Sequence, residues 1–110
     1  MKHIKTFESY ISDDCISDME QFGLYKSDID SLGFVTLYHG GVELPEVLRR
    51  DEIFFMTPSI DVAEDYARMR GGEVFTLKVK PQDVNWNTGS GEVEFDKGGE
   101  IVDNKIYPND

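Results

Sequence analysis

The chain has 110 residues, 39% hydrophobic and 30% charged, and its 22 Asp and Glu against 11 Lys and Arg leave a net charge of −11. This length predicts a single domain, residues 1–110, with material for one core, and the charge repels phosphates and argues against direct nucleic-acid binding. Apolar runs fall short of the roughly 18 residues of a membrane span, Met1 to Tyr10 holds no apolar signal core, and Cys15 has no partner for an internal disulfide; the expectation is a cytoplasmic protein without a membrane association.

Asp13 to Gln21 reads as a helix, because Cys15, Met19 and Phe22 recur at spacings of four and three and share one face. Gly23 is its stop, and Ser27 to Gly33 is a loop rich in Ser, Asp and Gly. Residues 1–33 are therefore expected as an N-terminal helical segment ahead of a core at 34–110. Phe34 to Tyr38 is a strand by its aromatic and β-branched content, and Gly40 and Gly41 are expected to break it. Pro45 to Arg50 reads as one or two helical turns, and Ile53 to Met56 as a short apolar strand. Thr57 is placed to cap the next helix, with Pro58 at its first position, where a missing N–H costs nothing. On that helix Val62, Ala63, Tyr66 and Ala67 form the apolar face, Asp61, Glu64, Asp65 and Arg68 face out, and Gly71-Gly72 end it.

Val74 to Val79 alternates as a half-buried strand does, with Phe75, Leu77 and Val79 on one side. Pro81 to Val84 is a turn, Trp86 is expected in the core, and Asn87 to Gly91 is a polar loop. Glu92 to Phe95 and Glu100 to Val102 are strands separated by a turn at Asp96 to Gly99, and Ile106 to Asp110 extends a sheet edge or frays. The sum is an α+β fold of short strands with two or three helices.

Four segments carry chemistry: Leu37-Tyr38-His39-Gly40-Gly41, Phe54-Phe55-Met56-Thr57-Pro58, Val62-Ala63-Glu64-Asp65-Tyr66-Ala67, and Glu92-Val93-Glu94-Phe95-Asp96-Lys97-Gly98. A strand-end histidine can hydrogen-bond a hydroxyl through either ring nitrogen. A helix-face tyrosine offers a ring for a flat heterocycle. Glu92 and Glu94, two apart on a strand, share a face. In this order the segments resemble the His-Tyr-Glu branch of the ADP-ribosyltransferase superfamily, over roughly Phe34 to Val102. The resemblance implies two small packed antiparallel-type sheets flanked by short helices, and mono-ADP-ribosyl transfer from NAD, as substrate, to a protein acceptor. It implies that His39 contacts a ribose, that the backbone of Gly40 holds the nicotinamide carboxamide, that Tyr66 stacks on nicotinamide, and that Glu92, or alternatively Glu94, stabilises the cationic transition state. Thr57, standing where the related Arg-Ser-Glu branch has its serine-rich segment, joins the NAD-binding set. The loop at 87–91 is implied in acceptor choice. Short acidic members of this kind resemble phage or mobile-element effectors, including anti-CRISPR transferases, which makes a host protein in the host cytoplasm the expected acceptor.

Other chemistries find no support. No Cys pair or His cluster has metal-ligand spacing, so no metal is expected. No Walker loop or Gly-x-Gly-x-x-Gly follows a strand, and Gly89-Ser90-Gly91 lacks the flanking pattern of a nucleophile elbow. A reading from a different class remains: a non-enzymatic acidic binding protein that mimics the charge of DNA and occupies a basic groove of a host protein.

Overall fold

A computed structural model of the chain describes residues 11–89 and 91–109; the stretch Met1 to Tyr10, with His3, lies outside the described residues, as do Ser90 and Asp110. The elements run α1 (Asp13–Gln21), β1 (Val35–Gly41), β2 (Val47–Leu48), β3 (Phe54–Met56), α2 (Ile60–Arg70), β4 (Glu73–Val79), β5 (Val93–Phe95), β6 (Gly99–Val102) and β7 (Lys105–Pro108). Short 3-10 turns occupy Lys26–Asp28 and Pro81–Asp83. The architecture is α+β. A five-stranded sheet has the order β1-β4-β7-β6-β2, and β3 and β5 form a two-stranded sheet. No helix among the described residues is long and apolar enough to cross a membrane.

The larger sheet is mixed rather than antiparallel throughout, because β4 and β7 pair in parallel. This pairing puts β7 between β4 and β6, inside the sheet rather than at the expected edge. A hairpin missing from the sequence reading makes this possible. Asp103 and Asn104 both take positive φ, 52° and 62°, the backbone pair a two-residue connection needs. The turn returns the chain so that Val102 faces Lys105 and Ile101 faces Ile106. Asn104 then extends the tie to β4: its carbonyl accepts the Lys78 N–H and its side-chain amide donates to the Thr76 carbonyl.

Two further elements differ from expectation. The segment expected as helical turns after Pro45 is β2, extended because it pairs with β6 through Val47 opposite Glu100 and Leu48 opposite Gly99. The glycines at 40 and 41 do not break β1, which stays in register with β4 as far as Gly41 opposite Glu73. The start of α2 also moves. Its N-cap is Ser59, whose hydroxyl accepts the Val62 N–H, while the Thr57 hydroxyl accepts the Ser59 N–H one step earlier. The left-handed Gly71, at φ 69°, ends α2 as expected.

One buried cluster joins both sheets and α1. It includes Met19 from α1, Val35 and Leu37 from β1, Met56 from β3, Leu77 and Val79 from β4, Val93 and Phe95 from β5, and Ile106 from β7. Trp86 is buried as expected, its indole N–H donating to the Pro81 carbonyl at 2.9 Å. Met19 is fully buried, and Cys15 and Phe22 pack against the same cluster, so α1 belongs to the core rather than lying appended to it. Truncating Met19 to Ala should therefore destabilise the protein by about 2–5 kcal/mol, read as a fall in melting temperature of about 10 °C or more by circular dichroism; an α1 that is merely appended would leave the transition unmoved.

Candidate functional site

The site is built where β1 meets α2 and the smaller sheet. On the side of β1 away from β4, Tyr38 exchanges backbone hydrogen bonds with Thr57, both at 2.8 Å, which bridges the two sheets. Backbone groups two residues apart on a strand point to the same side, so those of Gly40 also lie on that free edge. Gly40 itself is set by helix packing. A Cβ there would stand 2.1 Å from the Ala63 carbonyl oxygen and 2.7 Å from the Ala67 nitrogen. The missing side chain thus admits the α2 backbone against β1, a structural cause beside the one expected for a ligand. Gly41, on the opposite side, leaves room for an imidazole, since its Cβ would stand 2.7 Å from His39 Nε2.

His39 is held tightly. Its ring lies stacked on Phe54 at 4.3 Å and faces Phe75 at 6.3 Å. Its Nδ1 is 2.8 Å from the Phe55 carbonyl oxygen, which can only accept, so Nδ1 carries the proton in that bond. Burial pushes the histidine below its ordinary value of 6.5; the bond to Phe55 opposes this, and the cation of Arg70 adds to it. A neutral ring with Nδ1 protonated leaves Nε2 as an acceptor, suited to a hydroxyl donor.

Tyr66 and Glu92 meet. Tyr66 projects from the half-buried face of α2, and Glu92 stands just before β5. Burial raises the Glu92 carboxyl above its ordinary value of 4.5, countered by the Arg70 cation and by the Tyr66 hydroxyl, both of which favour the ionised form. The Glu92 carbonyl accepts the Thr88 hydroxyl at 2.6 Å, which fixes the approach to β5. Glu94 lies two residues on, opposite Phe55 in the β3–β5 ladder; Tyr66 and Arg70 act electrostatically on Glu92.

Arg70, a residue the sequence reading did not single out, ties these groups together. Its guanidinium lies over the Tyr66 ring, 5.0 Å from the centroid, and Nη1 donates to the Gly40 carbonyl at 2.7 Å. It also acts electrostatically on both His39 and Glu92. The available signal was spacing: Arg70 follows Tyr66 by four residues, so the two share a helix face. Thr57 is different. It is 1% exposed and its hydroxyl accepts the Ser59 N–H, so it places the start of α2.

Gly40 and Tyr66 thus meet at one guanidinium that also acts electrostatically on His39 and Glu92, although 53 positions separate His39 from Glu92. No family model, curated protein or solved structure matches the chain, so the functional reading is carried by this geometry.

The lowered histidine has a consequence for stability. Between its folded value and 6.5 the unfolded chain binds a proton that the folded chain does not. The stability supplied by neutral His39 is complete above that ordinary value and is lost as pH falls through the folded one. The melting temperature of the wild type should drop more steeply as pH falls below about 6.5 than that of His39→Gln; parallel slopes in differential scanning calorimetry would refute the assignment.

Proposed function

We propose that the chain is an ADP-ribosyltransferase-like domain that transfers ADP-ribose from NAD to a protein acceptor. The observation that carries this reading is the Arg70 guanidinium, which lies over the Tyr66 ring, donates to the Gly40 carbonyl and acts electrostatically on His39 and on a desolvated Glu92. The chemistry breaks the C1′–N bond of the nicotinamide ribose: its electron pair leaves on nicotinamide, the acceptor nucleophile forms the new bond to C1′, and the acceptor proton passes to solvent. The transition state resembles an oxocarbenium ion, as in glycoside hydrolysis.

The residues suit these demands. Neutral His39 offers Nε2 to a ribose hydroxyl, in a ring that two phenylalanines and the Phe55 carbonyl keep from turning. The Gly40 backbone lies on a strand edge where a planar amide can be read by hydrogen bonds. Tyr66 presents a ring of the kind that pairs with a flat heterocycle. Glu92 supplies negative charge at C1′. A carboxylate about 4 Å from a unit positive charge contributes about 4 kcal/mol at an effective dielectric constant of 20, roughly a thousandfold in rate. The Tyr66 hydroxyl and the Arg70 cation favour its ionised form against the desolvation that raises it.

The second reading, an acidic protein that fills a basic groove of a host protein, draws on the net charge of −11. One experiment separates the two. Incubation with labelled NAD and a lysate should label an acceptor, and Glu92→Gln should reduce labelling by about 10²–10³-fold while leaving the melting temperature unchanged or raised, since a desolvated carboxylate is removed. Labelling that survives in Glu92→Gln would sink the proposed mechanism. Tight capture of a basic protein, indifferent to NAD and to Glu92→Gln, would favour the charge mimic.

A further inference from the structure

The placement of Arg70 is unusual for a site meant to develop positive charge on a sugar. A cation close to C1′ opposes the transition state unless a negative group holds it. The chain as a whole is strongly acidic, yet a dinucleotide brings two phosphate charges that such a surface repels. Arg70 answers both difficulties only if it engages phosphate, and an arginine fork suits phosphate oxygens.

Its present contacts describe what it gives up to do so. The guanidinium is a flat cation lying over the Tyr66 ring, with an N–H donated to the Gly40 carbonyl. A nicotinamide ring in NAD is also a flat cation, with an amide N–H able to take the same carbonyl. The two cannot share one face of Tyr66. The side chain is free to move from a fixed base. Arg70 is exposed, the last residue of α2. The backbone just beyond it is pinned to β1, since a Cβ on Gly72 would stand 2.0 Å from the Gly41 carbonyl oxygen. The neighbouring Arg68 is spent on Asp65.

We propose that Arg70 is a specificity-determining residue that holds the Tyr66 ring face and the Gly40 carbonyl in place of a ligand, and yields them to a flat heterocycle whose own phosphate draws the guanidinium away. The site thereby selects phosphate-bearing ligands over the bare nucleoside. This rests on the reading of Tyr66 as the stacking residue and adds the means by which that surface is opened.

Calorimetric titration of the wild type, Arg70→Gln and Arg70→Lys with NAD and with nicotinamide riboside, which lacks phosphate, tests it. The wild type should prefer NAD, with an affinity that falls as salt rises, while riboside binding is insensitive to salt. Arg70→Gln should weaken NAD by about tenfold or more and leave riboside unchanged or tighter, collapsing the preference; Arg70→Lys should retain part of it. An equal loss for both ligands in Arg70→Gln would mark Arg70 as a mere tether between α2 and β1 and overturn the proposal, as would a wild-type preference for NAD that ignores salt. If the wild type binds both ligands and Arg70→Gln alters neither affinity, the role of Arg70 fails while the proposed NAD site stands. If the wild type binds neither, the proposed NAD site fails and this proposal with it.

Discussion

The site depends on how closely α2 lies against β1. Backbone touches backbone there, because Gly40 and Gly72 have no side chains to hold the elements apart. The approach sets three things together. It brings the Tyr66 face of the helix to the free edge of the strand, it puts Arg70 within reach of the Gly40 carbonyl, and it leaves His39 on the other side of the same strand against Phe54 and Phe75.

The electrostatics of the site run against the charge of the chain as a whole. Across the sequence, acidic residues outnumber basic ones twofold. At the site, burial acts on His39 and Glu92 in opposite directions on the pH scale but to the same end, since each is pressed toward its neutral form. Arg70 breaks the symmetry. Its charge drives the histidine further toward neutrality and returns the glutamate toward ionisation. One guanidinium therefore favours a hydrogen-bond acceptor at position 39 and an anion at position 92, the two states that the proposed transfer calls for.

Much of this was legible in the residues, and the exceptions have physical causes. The helix Asp13–Gln21 follows from the spacing of Cys15, Met19 and Phe22, and the outward face of α2 from its charges, because both are local amphipathic patterns. The β2 segment was misread as helical because its extended form comes from pairing with β6, a partner about fifty residues later, and no local signal records that. The Gly40-Gly41 pair reads locally as a break; its cause is a helix backbone on one side and an imidazole on the other. The N-cap was assigned to Thr57 because Pro58 follows it, whereas Ser59 takes that role and the threonine supports it from one step before. His39, Tyr66 and Glu92 were readable as a set in chain order. Arg70 was not, because an arginine beside a helix-ending glycine looks like an ordinary partner for the helix dipole.

The interior position of β7 reaches into how the molecule folds. Strands β1 and β4 are complete by residue 79, yet β2 joins them only through β6 and β7. Until the Asp103-Asn104 reversal brings residues 105–108 alongside β4, the β4 edge is unpaired, the circumstance in which strands seek foreign partners. The abundance of negative charge, whatever else it serves, gives the folding chain a means of keeping its copies apart.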